Sequence, residues 1–149
     1  MRFVFIGCTK NKHDVGRYRV MPEKLYDSDL FRKRVAYAEN RELPWAVLSA
    51  QYGLWWPDTQ LQTYENRLHD QAKIEQAAWH ICVAHHFLNY FDDDETDIRK
   101  ITVEIHASKT YAHPLAEILT ALGITVALPC TGLGIGEQLA IYNGELAVA

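Results

Sequence analysis

No part of this sequence stays apolar for long. The longest such runs, Ile124 to Leu128 among them, fall far short of the ~20 residues that cross a bilayer. The N-terminus enters a strand pattern directly, with no signal peptide ahead of it, so no membrane partner and a cytoplasmic location are expected. Cysteine is equally sparse. Cys8, Cys82 and Cys130 are odd in number and lie 74 and 48 residues apart, which supports neither a disulfide framework nor a CxxC zinc site. Positive charge is also in deficit. A net charge of −4 argues against a general electrostatic grip on a nucleic-acid backbone, which takes many Lys and Arg contacts to phosphate.

What is present is an ordinary globular composition, 48% hydrophobic and 23% charged over 149 residues, enough for one core and one domain spanning 1–149. Charge is unevenly placed. Between Lys10 and Arg41 there are nine Lys or Arg against five Asp or Glu, whereas Asp92 to Asp97 holds five acids in six residues. The basic stretch can meet a phosphate, or both stretches can simply be solvated faces.

Four segments read as buried strands: Arg2 to Cys8, Trp45 to Ala50, Ile101 to Ala107 and Ile124 to Leu128, each short, β-branched or aromatic, and bounded by turn residues. Helical periodicity fills the gaps. Ser28 to Asn40 carries Ser28 as N-cap and an apolar stripe at Leu30, Phe31, Val35 and Ala38. Asp70 to Phe91 is longer, ended by the acidic turn, and Tyr111 to Leu122 closes on Gly123. A last helix runs from near Gly136 to about Asn143-Gly144. Strands alternating with helices predict an α/β, three-layer, Rossmann-like domain with a mainly parallel sheet of about four strands. The stretch from Gln51 to His69 is long for a connection, so it is either a functional loop or partly structured.

In open sheets of this kind ligands bind beyond the carboxyl ends of the strands. After the first strand, Cys8, Thr9, Lys10 and Lys12 offer small polar groups and two cations for an anion, though Cys8 also suits a buried hydrophobe and the lysines a solvated loop. The glycine spacing of a Walker loop is missing. After the second strand, Ser49, Gln51, Tyr52 and Gly53 combine a hydroxyl, an amide and a phenol at a turn. Gln51 can read a base edge, and Tyr52, Trp55 or Trp56 can stack on a ring or serve as core staples. Asp58, Tyr64, Glu65 and Arg67 follow on the same loop, as acid–base candidates or as caps and ion-pair partners. Ser108 either caps the next helix or touches a ligand. Gly132, Gly134 and Gly136 let backbone amides approach an anion at the start of the last helix, where Glu137 and Gln138 sit in a first turn that also suits purely structural caps. The GxGxG spacing is no dinucleotide fingerprint. His80, His85 and His86 share a helix without metal-binding spacing, so no metal and no cofactor are called for.

These segments, Cys8-Thr9-Lys10-Asn11-Lys12, Leu25 to Phe31, Leu48 to Leu54, Pro57-Asp58 with Tyr64, and Gly132 to Leu139, resemble a group of small bacterial and phage domains related in pattern to the YaaA peroxide-stress proteins. The resemblance implies a Rossmann-like domain tied to DNA or nucleotide metabolism. This chain is shorter than YaaA and has no added DNA-binding hairpin. The expected function is action on a nucleoside, nucleotide or nucleic-acid base in DNA modification or repair, hydrolysing or transferring at an N-glycosidic bond. In that scheme Asp58 and Glu137 are the carboxylates. Ligand contacts would come from Cys8, Thr9, Lys10, Lys12, Ser49, Gln51, Tyr52, Gly53, Tyr64, Ser108, Gly132, Gly134, Gly136 and Gln138. A non-catalytic nucleotide or nucleic-acid binding module in stress response is the alternative, and a regulatory domain with a partner patch at Trp55-Trp56 is a third. The partner is a nucleotide or nucleic-acid base, DNA included, and the oligomeric state is open.

Overall fold

The computed structural model describes residues 1–91 and 95–148, so Asp92, Asp93 and Asp94 of the acidic turn lie outside the described residues. Its elements are β1 (Arg2–Gly7), α1 (Pro22–Leu25), α2 (Asp29–Asn40), β2 (Trp45–Ser49), β3 (Gly53–Trp55), α3 (Lys73–Asn89), β4 (Thr102–His106), α4 (Lys109–Ala121), β5 (Thr125–Ala127) and α5 (Ile135–Val148), with 3-10 turns at Leu68–Asp70 and Ile98–Lys100. The strands form one five-stranded sheet in the order β3-β2-β1-β4-β5. All neighbours are parallel except β2 and β3. The α/β fold with a mostly parallel sheet is therefore as the periodicity predicts, with one strand more.

That extra strand is made by a side chain. Ser49 Oγ accepts hydrogen bonds from the backbone N–H of Gln51 (3.3 Å) and Tyr52 (3.1 Å), folding the chain back, and Gly53 takes φ 71°, a left-handed conformation that most residues avoid. Gly53, Leu54 and Trp55 then pair antiparallel with Ser49, Leu48 and Val47. Helix α2 begins as expected, with Ser28 Oγ accepting from the N–H of Phe31 at 3.0 Å. It ends in a Schellman motif, Leu43 N–H to the Ala38 carbonyl and Glu42 N–H to that of Glu39, with Glu42 at φ 53°.

Alternation along β1 and β4 sends unlike residues to the two faces. On one, Phe3 and Phe5 meet Phe87 of α3 edge-on, with ring centroids 5.2 and 5.0 Å apart, and α4 packs beside α3. Burying a ring such as Phe87 contributes roughly 1.5–3 kcal/mol. On the other face, covered by α2 and α5, β4 presents Glu104 and His106. At the carboxyl ends β1 and β4 approach so closely that a Cβ on Gly7 would lie 2.8 Å from that of Ala107.

Candidate functional site

The strand order places β1 between β2, reached through α2, and β4, reached through α3. Outside the carboxyl ends of β1 and β4 lies the topological switch point, where open α/β sheets bind ligands. A cavity of about 180 Å³ opens there. Cys8, Thr9, Lys10 and Lys12 line it from β1, Ser108 and Tyr111 from β4 and α4, and Tyr64, Glu65, Asn66, Arg67 and His69 from the long connection.

Two phenols, Tyr64 and Tyr111, stand in its lining, and Tyr26 backs Tyr64. Tyr26 and Tyr64 share a 2.5 Å hydroxyl contact, Tyr111 accepts from Cys8 Sγ (3.4 Å) and from the N–H of Leu68 (3.3 Å), and burial holds all three phenols above their ordinary range. They are therefore neutral donors or acceptors, not bases. Lys12 Nζ stands 4.8 Å over the Tyr64 ring, a cation–π contact that leaves ammonium hydrogens for another partner. The lining carries Lys10, Lys12 and Arg67 against the carboxylate of Glu65, with Asp70 just outside it, 3.8 Å from Arg67 Nε.

Of the residues singled out from sequence, Cys8, Thr9, Lys10, Lys12, Tyr64 and Ser108 meet in this cavity. Ser49 does not; its hydroxyl is buried in the turn described above and its carbonyl accepts from Trp79 Nε1 at 2.9 Å. Gln51 lies next to the site, accepting from Asn66 at 3.2 Å, while the Tyr52 hydroxyl donates to the Gln62 carbonyl and Gly53 packs toward Val83 and His86. Gly132, at φ 88°, closes on the side chain of Lys109. Gly134, Gly136 and Glu137 are exposed at the start of α5 and line no cavity with Lys10. Gln138 is buried and accepts from Arg34 at 2.8 Å while donating to the Leu133 carbonyl. The expectation for Asp58 requires correction. The antiparallel return of β3 carries it to the opposite end of the sheet, where it lines a groove with Pro44 and Trp45 at the start of β2. Trp55 is a core staple, buried and donating to the Thr59 carbonyl.

A second polar constellation lies under α2 and α5 and was not read from sequence. Glu104 accepts from Tyr37 and pairs with His106 Nε2, both at 2.9 Å, and pairs with Arg2 as well. His106 Nδ1 meets the Tyr142 hydroxyl at 2.5 Å, which meets Cys130 Sγ at 3.0 Å. Glu104, His106 and Cys130 are each 1% exposed. Burial opposes the charge on all three, yet their mutual hydrogen bonds win: His106 is held above its usual range, Glu104 and Cys130 below theirs. Tyr37, half-buried and beside Glu104, is pushed up to about 12. The missed signal was the pair of polar residues two apart in the strand T-V-E-I-H, which must share one face.

Among the described residues no group of three or more His, Cys, Asp or Glu can hold a metal ion, and no helix is long and apolar enough to cross a membrane. Fold and site together define an α/β protein with a cationic, phenol-lined cleft at its switch point. The chain belongs to a family of unknown function, DUF6884, whose model matches residues 3–144. Comparison with curated proteins and with solved structures finds no match. The family match carries no link to the YaaA proteins.

Proposed function

We propose that the cleft takes the sugar-phosphate portion of a nucleotide or nucleic acid and that the protein acts at the N-glycosidic bond. The observation that carries this is the cavity's position at the switch point with Lys10, Lys12 and Arg67 in its lining. Its volume, below the several hundred Å³ of sites that swallow whole cofactors, suits a sugar-phosphate with the base left near Tyr64, Tyr111 and Gln51. Glu65, the carboxylate in the lining, takes the role that the sequence suggests for Asp58 and Glu137, neither of which lines the cleft. In hydrolysis it accepts a proton from water as the water oxygen bonds to C1′, while the C1′–N bond breaks and the base leaves with its electron pair, to be protonated from solvent.

Incubation with ribo- and deoxyribonucleotides and with short oligonucleotides, read by mass spectrometry, is expected to show free base. Glu65→Gln should abolish release with binding retained, and Lys10→Ala should weaken binding by about ten-fold or more, the loss of one charge-assisted contact. Binding without release in the wild type would favour the alternative, a nucleotide or nucleic-acid binding module. No binding to any member of the panel would end both readings.

A further inference from the structure

At the amino-terminal end of the sheet, away from the cleft, a groove of about 800 Å³ runs between the end of α2, the start of β2 and the segment after β3. Trp56 and Tyr90 stack along it, with centroids 4.9 Å apart at 27°, and Pro57 extends the apolar floor. Glu39, Glu42 and Asp58 line it, all exposed, and among the described residues none of the three is in a salt bridge. Aromatic faces ringed by unpaired carboxylates suit a cation on an aromatic-compatible carrier, above all a guanidinium, which stacks and pairs at once.

The same chain displays such a group. Arg17, Tyr18 and Arg19 stand at the tip of the loop between β1 and α1, all exposed, with Tyr18 80% accessible. The tip is preshaped: Gly16 turns at φ 56°, its N–H donates to Asp14 Oδ1 (3.1 Å), Tyr18 N–H donates to the Val15 carbonyl (3.2 Å), Gln62 Nε2 donates to the Arg17 carbonyl (3.2 Å), and Val20 bridges Leu61. Neither arginine is in a salt bridge among the described residues. A preshaped tip loses little entropy on docking.

We infer that the groove is a docking site for a second copy of this chain, which inserts its Arg17-Tyr18-Arg19 tip between the Trp56–Tyr90 stack and the carboxylates of Glu39, Glu42 and Asp58. Tip and groove are different surfaces, so the contact is either exchanged reciprocally across a two-fold axis or repeated head to tail around a ring. This does not rest on the nucleotide reading, since the groove and the cleft share no lining residue.

Sedimentation velocity of the full chain over a concentration series tests it. Wild type should self-associate at low salt and dissociate as salt screens the pairs. Arg17→Glu with Arg19→Glu, or Glu39→Lys with Glu42→Lys and Asp58→Lys, should each raise the dissociation constant about ten-fold or more. Mixing the two variants restores opposite charge at both contacts, so the mixture should assemble where neither does alone. All five positions are exposed, and unchanged melting curves would confirm that the variants fold. A wild type that stays monomeric, or an assembly indifferent to both sets of reversals, overturns the proposal. So does a tip variant that loses oligonucleotide binding while its assembly is unchanged, because that result gives the tip to nucleic acid.

Discussion

The two faces of the sheet solve the problem of burial in opposite ways. Under α3 and α4, Phe3, Phe5, Phe87 and Phe91 interlock edge to face, and shape alone holds them. Under α2 and α5, the same two central strands bury Glu104 and His106, tied to Tyr37, Tyr142 and Cys130. An apolar face degrades gradually as contacts are trimmed. A buried polar chain is complete or costly, because each member's donor needs its neighbour's acceptor.

The largest expected effect breaks this comparison at its middle. Glu104→Ala should cost about 3–5 kcal/mol, as much as Phe87→Ala, by leaving His106 buried without its carboxylate. Urea denaturation of both variants, read against a Glu104→Leu, His106→Leu double variant, sharpens the point. If the polar chain serves to specify packing, the double variant recovers most of that stability. A double variant no better than Glu104→Ala would show net stabilisation by the pair.

A smaller effect appears in pH dependence, where histidines on the two faces pull in opposite directions. Burial holds His80, on the α3 side, below its ordinary pKa near 6.5. The unfolded chain therefore binds the proton first, and stability falls as pH drops below about 6.5 toward the lowered native value. His106 is held above 6.5, so its contribution is complete below that value and is lost as pH rises through the raised one. Denaturation midpoints across this range should show His80→Leu removing the acid-side loss and His106→Gln the loss above 6.5. Unchanged slopes in both would refute the assignment.

The smallest expected change lies at the end of α2. Glu42 occupies a left-handed position where glycine is common, so Glu42→Gly should stabilise the fold by about 1 kcal/mol or less while removing one groove charge and weakening self-association a few-fold. A thermal melt and a sedimentation run on one variant separate the two.

The elements legible in the sequence are those whose signal is local. Ser28 with its helical stripe marks α2, and the apolar runs of β1, β2 and β4 are found within a residue or so. Strand β3 was hidden because three residues carry no period, and its turn depends on where one serine hydroxyl points. Helix α5 runs past Gly144 to Val148, since an isolated glycine weakens a helix without ending it. In the site, the residues that directly follow β1 and β4 could be named by the strand-end rule. Asn66, Arg67 and His69 could not be placed there, because their return to the cleft is set by Tyr26 meeting Tyr64 and Val20 meeting Leu61, pairings of 38 and 41 residues' separation. Asp58 was misplaced for the same reason in reverse: antiparallel β3 carries the chain to the amino-terminal end of the sheet before Asp58, and the short segment from Asp58 to Tyr64 brings it back to the cleft.

The sheet ends at both sides in strands of three residues, β3 and β5. So short an edge offers an incoming chain few free N–H and C=O groups with which to extend the sheet, which blunts the edge-to-edge route to aggregation. The self-association proposed through the Arg17–Arg19 tip would rest on side chains, and contacts of that sort are sensitive to salt and come apart again.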